Sequence, residues 1–249
     1  MVDFAPGLGS GDGMEARDWA AVGPEEVLGF WFPDDGHDAS FEAHRAFWSW
    51  RMRGGVDEPI RERFAALSEA AAKGFLDHWA GTPRGRLALI VVLDQFSRSA
   101  WRGTPGAFAQ DIKAAGLALK GLENGHYAAL PHVWEKAFAL ISICHCEGPR
   151  HLERMEQSLQ LSGKLVAEAP AALRENYRLV EDQNRLGRDV IARFGRHPHR
   201  NAILGRISTP EEEAYIATGD FPHVRTLPSA ADEVEAFLAA ARASSDRVS

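Results

Sequence analysis

The chain of 249 residues is 45% hydrophobic and 25% charged, and its formal net charge at pH 7 is -7. This composition is typical of a soluble globular protein with a substantial core. The acidic balance argues against general nucleic-acid binding, which needs a broad basic surface.

The apolar runs and the cysteines predict a cytoplasmic protein without a membrane span. The longest apolar run, residues 87–93, is far shorter than the roughly 20 residues that cross a bilayer. Residues 1–13 lack the basic start and the apolar stretch of a secretory signal. Cys144 and Cys146 are the only cysteines, and a separation of two positions is poor for a disulfide.

Apolar residues recur with the helical period of 3.6 along most of the chain. In the first half of the chain, helices are predicted from Pro24 and over residues 40–53, 57–73, 84–100 and 105–122. The next helix runs from Pro131 to the Gly148-Pro149 pair, and another runs from that pair to beyond residue 165. Further helices are predicted from Pro170 to Phe194, from Pro210, and over residues 229–243. Thr209 and Glu212 have the spacing of a capping box, and Gly195 is a C-terminal stop.

No run of residues has the pattern of a β-strand, so the predicted fold class is all-α. About ten helices in antiparallel succession predict a bundle or a tetratricopeptide-like superhelix. No internal linker divides the chain, and residues 15–243 are therefore predicted to form one domain. Residues 1–14 are predicted to be a flexible leader, and residues 244–249 a polar tail.

In the helix predicted over residues 84–100, apolar side chains at 87, 89–93 and 96 surround the helix, and Asp94, Gln95 and Arg98 interrupt this pattern. Asp94 and Arg98 stand four residues apart and are placed to form an ion pair, with Gln95 beside them. In one interpretation the pair only fixes the position of a buried helix. In the other, these three residues and Arg102 line a polar pocket.

A second polar group, Cys144-His145-Cys146-Glu147, lies where the Gly148-Pro149 pair ends a helix. On a continuous helix His145 and Glu147 would point about 200° apart, so they share a ligand only if the helix stops there. The pattern lacks the paired spacings of a zinc site, and no metal is predicted. A histidine and a carboxylate at the edge of a cleft are suited to proton transfer.

Residues 193–206 contain four arginines, two histidines and no acid, against the negative charge of the whole chain. Guanidinium groups donate two parallel hydrogen bonds to a carboxylate or a phosphate, which predicts an anion site. The alternative is structural: Arg193 and Arg196 lie near a helix C-terminus, and Arg200 or Arg206 brace Asp94 or the acids at 211–213.

Several longer motifs resemble those of the bacterial DUF924 family. They are VLGFWF at 27–32, GRLALIVVLDQFSR at 85–98, RGTP at 102–105, AFAQD at 107–111, HCE at 145–147, DVIARFGRHPHRN at 189–201 and ILGRISTPEE at 203–212. The resemblance covers residues 24–217 and implies a tetratricopeptide-like helical superhelix without an established activity. Its polar signatures imply one shared cleft.

Two hypotheses about function follow. In the first, the protein is a small-molecule enzyme or ligand-binding protein for an anionic carboxylate or phosphate, with no cofactor identified. Its proton-transfer candidates are Asp94, His145 and Glu147, and its ligand-binding candidates are Trp31, Gln95, Arg98, Arg102, Arg196, His197, His199, Arg200, Asn201 and Arg206. In the second, a concave helical face binds a peptide, and Arg200 and Asn201 contact its backbone or terminal carboxylate.

Overall fold

The structure is a computed structural model, and it describes residues 19–221. Its α-helices are α1 (Pro24–Trp31), α2 (Phe41–Trp50), α3 (Asp57–Ala72), α4 (Pro83–Val91), α5 (Ser97–Ala100), α6 (Asp111–Glu123), α7 (Val133–His145), α8 (His151–Glu168), α9 (Arg174–Phe194) and α10 (Pro210–Ala217). Short 3₁₀ turns occupy Trp19–Ala21, Asp77–Gly81, Pro105–Phe108, Ala171–Leu173 and Pro198–Arg200.

Two π-helical turns extend these helices. Val92–Phe96 joins α4 to α5, so that the ten segments make nine separate helices within the described range. Arg51–Gly55 continues α2 and contains Gly54, whose φ of 102° is a left-handed conformation that favours glycine. Residues 19–221 contain no β-strand, which confirms the all-α prediction.

The predicted leader, the helix over 229–243 and the polar tail lie outside the described residues. The boundaries of the single domain and the tetratricopeptide-like arrangement stay predictions. Among the described helices, none has both the length and the apolar character needed to cross a membrane.

Local signals place most helix ends where the sequence predicts them. Thr209 and Glu212 form the predicted capping box at the start of α10, and Gly195 ends α9 with a φ of 70°. The prediction of one helix over 105–122 is wrong, because a 3₁₀ turn comes first and Gln110, with φ -104° and ψ 4°, precedes α6. α7 begins at Val133 because His132 is extended.

The helix formed by α4, its π-helical turn and α5 is central to the fold. Residues 85–97 are all buried. α4 packs against α1, α6 and α7, while the π-helical turn packs against α3. Successive helices from α6 to α9 pack on one another, which brings the C-terminal end of α7 beside the middle of the central helix.

Candidate functional site

Asp94, in the π-helical turn, is the fully buried centre of a polar network. Its side chain is 0% exposed. One carboxylate oxygen lies 2.8 Å from Nδ1 of His145 and accepts a 2.9 Å hydrogen bond from Nη1 of Arg98. Gln95 donates to the other oxygen. The predicted ion pair between Asp94 and Arg98 is therefore present, and the contact of Asp94 with His145 joins the end of α7 to the central helix.

Asp111, the first residue of α6, extends this network to the arginine-rich segment. Arg98 forms an ion pair with it at 2.9 Å, and Arg200 forms another at 3.2 Å. The same Nη1 atom of Arg200 donates to the carbonyl oxygen of His145 at 2.9 Å. Asp94, Arg98, Asp111, His145 and Arg200 together are called the central cluster below.

The ring of Phe108 lies against both guanidinium groups, 5.7 Å from Arg98 and 4.6 Å from Arg200. Neither Phe108 nor Asp111 was predicted as a site residue. Both belong to the AFAQD motif at 107–111, which was the available signal. A sequence motif does not indicate which distant residues its side chains will contact. Here the contact of Asp111 with Arg200 spans 89 residues of sequence.

The charges of the central cluster balance when His145 is neutral, since two carboxylates face two guanidinium groups. Burial opposes the ionisation of Asp94, but Arg98 and His145 hold its pKa at about 2. Burial and the charge of Arg98 lower the pKa of His145, against the opposing effect of Asp94. A neutral His145 donates from Nδ1 to the ionised Asp94 and keeps a lone pair on Nε2.

The side chain of His145 is 27% exposed, whereas its partner Asp94 is completely buried. Within the described residues, hydrogen bonds to His145 involve only Nδ1 of the ring and the main-chain oxygen. The ring is therefore fixed from the inside, and its other nitrogen is available on the outer side.

A neighbouring group, called the outer cluster below, contains Glu147, Arg196, Asn201, Arg206 and Glu212. Glu147 pairs with Arg206 and accepts from the main-chain N–H of His197 at 2.7 Å. Arg206 donates to Asn201 at 2.9 Å, and Asn201 donates to Glu212 at 3.3 Å. Glu212 holds Arg196 through contacts of 2.6 and 2.7 Å. This cluster is also balanced in charge.

Both carboxylates of the outer cluster are ionised groups engaged by donors. Although burial raises the pKa of Glu147, hydrogen bonds from Arg206 and from the main chain of His197 lower it overall. The hydrogen bond from Arg196 lowers the pKa of Glu212 to about 2. Glu147 therefore holds the arginine-rich segment against the end of α7.

All four arginines of residues 193–206 have acidic partners that lie outside that segment. Arg193 and Arg196 pair with Glu211 and Glu212, whereas the structural alternative predicted that Arg200 or Arg206 would brace the acids at 211–213. Arg200 and Arg206 instead pair with Asp111 and Glu147. The basic segment that stands out in the sequence is neutralised in the fold.

His197 and His199 of the segment lie near the C-terminal end of α7. Nε2 of His197 and Nε2 of His151 lie 3.3 and 3.0 Å from the carbonyl oxygen of Cys144. The ring of His199 is 5.4 Å from that of His197. Burial lowers the pKa of His151 and His197. In the part of the chain that the structure describes, no three His, Cys, Asp or Glu side chains are arranged to hold a metal ion.

Two predicted ligand-binding residues lie apart from both clusters. Trp31 is 1% exposed and packs against Phe96 and Phe138, so it belongs to the aromatic core and lies away from both clusters. Arg102 pairs with Asp57 of α3 instead of facing Asp94. The reason is that the helix ends at Ala100, which turns Arg102 away from the face of Arg98.

Two concave regions of the described residues lie away from both clusters. One is lined by residues of α4, α6 and the loop at 126–130, and the other is a surface depression between α8 and α9. Neither includes a residue of the central or outer cluster.

Comparison with known proteins gives similarity to proteins without an assigned activity. A family model described as "Bacterial protein of unknown function (DUF924)" matches residues 27–220. The chain is similar to the solved structure of a protein of unknown function from Agrobacterium tumefaciens, with 29% identity and a TM-score of 0.60. That similarity covers 79% of this chain and 97% of the other. No curated protein matches the chain.

Proposed function

The chain belongs to the DUF924 family of bacterial proteins of unknown function, and because that membership carries no assigned activity, we propose one from the geometry. The protein is a small-molecule enzyme or ligand-binding protein that acts on an anionic ligand, a carboxylate or a phosphate. His145 is its proton acceptor. The carrying observation is the 2.8 Å contact between the buried Asp94 and the partly exposed His145.

A carboxylate on one ring nitrogen of a histidine fixes its tautomer and stabilises the charged ring that forms when the other nitrogen takes a proton. Asp94 is buried and contacts no ligand from outside, so its role in this proposal is to position His145. Glu147, which was predicted as a catalytic residue, positions the arginine-rich segment through Arg206 and His197.

The anionic character of the ligand is supported by partly exposed guanidinium groups in the two clusters. The side chains of Arg98, Arg206 and Arg196 are 18%, 22% and 30% exposed. A guanidinium group has five N–H donors, so one that already holds a carboxylate has donors left for a second anion.

We favour this function over peptide binding because the two residues assigned to peptide recognition are buried. Arg200 is 4% exposed and Asn201 is 1% exposed, and both are hydrogen-bonded within the protein. The cytoplasmic location stays part of the proposal, supported by two cysteines that form no disulfide.

The experiment compares wild type with His145→Gln in a panel of small carboxylates and phosphates, together with mass spectrometry of ligands that copurify. Glutamine keeps an amide donor for Asp94 but has no titrating nitrogen. At least one anion is expected to bind wild type saturably, and the variant is expected to bind it about tenfold more weakly, the equivalent of one lost hydrogen bond. His78→Gln, at an exposed histidine, is the matched control.

Equal affinity of wild type and His145→Gln for every bound anion would overturn the proposal. So would a variant that melts at a much lower temperature without ligand while no anion stabilises the wild type. In that case the Asp94–His145 contact serves the fold alone.

A further inference from the structure

Arg51 is a buried arginine whose guanidinium group makes no hydrogen bond to any of the described residues. It begins the π-helical turn after α2, is 7% exposed, and its Nε and Nη1 atoms are buried without a partner. The other two buried arginines of the described chain, Arg86 and Arg200, each make at least two hydrogen bonds. Burial of a charged donor without an acceptor is unfavourable, so an acceptor bound at Arg51 would stabilise the fold.

The surroundings of Arg51 are aromatic. Its guanidinium carbon lies 5.7, 5.6, 4.3 and 5.9 Å from the ring centroids of Phe30, Trp31, Phe47 and Trp50. Ring faces attract a cation, but they supply neither an acceptor at its edge nor a full negative charge. Burial lowers the pKa of Arg51 to about 10, against the charge of Asp35.

Trp31, next to Arg51, also has a buried donor without an acceptor. Its indole Nε1 is buried and has no hydrogen-bond partner, in a side chain that is 1% exposed. The unsatisfied groups of these two neighbouring side chains are therefore all donors. An anion at Arg51 would give the guanidinium group an acceptor and neutralise its charge, and Nε1 of Trp31, whose ring centroid lies 5.6 Å from the guanidinium carbon, is a second unsatisfied donor beside it.

We infer that Arg51 and Trp31 form a binding site for the carboxylate of a small organic acid, whose apolar part packs among the surrounding rings. A guanidinium group donates to both oxygens of a carboxylate, and the rings favour a ligand with an apolar portion over a strongly hydrated ion. This site is separate from the clusters around His145 and is independent of the proposed function.

Trp50 covers the site on the surface side. It is 39% exposed, and its indole lies flat on Gly55, where a Cβ would be only 2.2 Å from Trp50 Cε2. Glycine at this position therefore lets Trp50 lie close to the backbone beside Arg51. Trp50 is at the surface, and its ring centroid lies 5.9 Å from the guanidinium carbon of Arg51, so it is the exposed ring of the site.

The test measures the melting temperature of the full chain in propionate or isobutyrate, against chloride and phosphate at the same ionic strength. Wild type is expected to show a saturable rise of about 5 °C with the carboxylates, and Arg51→Met is expected to show none. Arg63→Met is the matched control, because Arg63 also lies over aromatic rings but is exposed and paired with Glu26. His145→Gln is expected to keep the rise, which separates this site from the proposed one.

A second measurement covers the case in which Arg51→Met fails to fold. The chain has seven tryptophans, and the indole N–H signal of Trp31, identified with Trp31→Phe, is expected to shift downfield as propionate is added to wild type. In Arg51→Lys, which keeps the charge but loses the planar pair of donors, the shift is expected to need about tenfold more propionate.

Three results would overturn the inference. They are a wild type without a saturable carboxylate response, a response that survives in Arg51→Met, and an equal response to chloride or phosphate. The last would show that the site selects charge without selecting a carboxylate.

Discussion

His44 and His145 are both held neutral, but different neighbours are responsible. His44 is 3% exposed, its Nδ1 lies 3.2 Å from Nδ1 of His37, and its Nε2 accepts from Trp48 at 3.1 Å. Burial, together with the charge of His37, lowers the pKa of His44 to about 4. His145 is neutral beside an ionised carboxylate, because burial and Arg98 outweigh Asp94.

The pair His37 and His44 predicts a loss of stability in mild acid. A folded-state pKa of about 4, below the unfolded value near 6.5, means that the unfolded chain binds the proton first. The contribution of His44 is complete above pH 6.5 and is lost as the pH falls towards 4. Between pH 7 and pH 5 the expected loss from His44 is about 2 kcal/mol.

Urea unfolding at the two pH values measures this loss. His44→Gln is expected to lose about 2 kcal/mol less than wild type over the same range, whereas His78→Gln, an exposed histidine, is expected to behave as wild type. Losses of equal size in wild type and His44→Gln would show that the buried pair does not couple folding to pH.

At the scale of one element, α10 is held by a carboxylate with several partners. Glu212 closes the capping box with Thr209, binds Arg196 and accepts from Asn201. Its neighbour Glu211 makes an exposed ion pair with Arg193. The two glutamates are adjacent in one helix, so they provide a matched comparison.

Thr209→Ala is expected to lower the free energy of unfolding by about 1 kcal/mol, because it removes one half of the capping box. Glu212→Ala is expected to lower it further, since it also leaves Arg196 and Asn201 without their acceptor. Glu211→Ala is expected to stay within about 0.5 kcal/mol of wild type. Chemical denaturation of the three variants measures the order, and equal effects of the two glutamate variants would contradict it.

Helix ends with a local chemical cause were predictable, and distortions with a tertiary cause were not. The proline of α1, the capping box of α10 and the left-handed Gly195 each act within a few residues. The π-helical turns at 51–55 and 92–96 have no comparable signal. In the 3₁₀ turn at Pro105–Phe108, Gly106 approaches Trp101 closely, and a Cβ there would lie 3.1 Å from the Trp101 side chain.

At the scale of the whole molecule, the sequence predicts which polar residues are unusual but not which charges they meet. The four arginines of 193–206 stand out because no acid lies among them. Their partners Asp111 and Glu147 are 89 and 59 residues away from Arg200 and Arg206, and helical periodicity says nothing about such contacts. The arginine-rich segment therefore suggested an open anion site that the fold largely neutralises.

Arg51 shows the opposite outcome: its sequence context gives no sign of the unusual environment that the fold creates around it. Nothing in its local sequence marks it, because arginine after an amphipathic helix is ordinarily exposed. Only the packing of α1 and α2 shows that aromatic rings surround it and that no carboxylate between residues 19 and 221 forms an ion pair with it. Unsatisfied donors, like paired charges, are properties of the assembled molecule.

The junction of the central helix with the end of α7 depends on the state of one imidazole ring. Nitrogen-detected NMR of protein labelled in its histidine rings, titrated from pH 8 to pH 5 with His145→Gln to identify the signal, reports that state. The expected result is a neutral His145 with its proton on Nδ1, and a pKa below 6.5. A proton on Nε2 at pH 7, or a pKa above 6.5, would contradict the Asp94–His145 arrangement on which the proposed function rests.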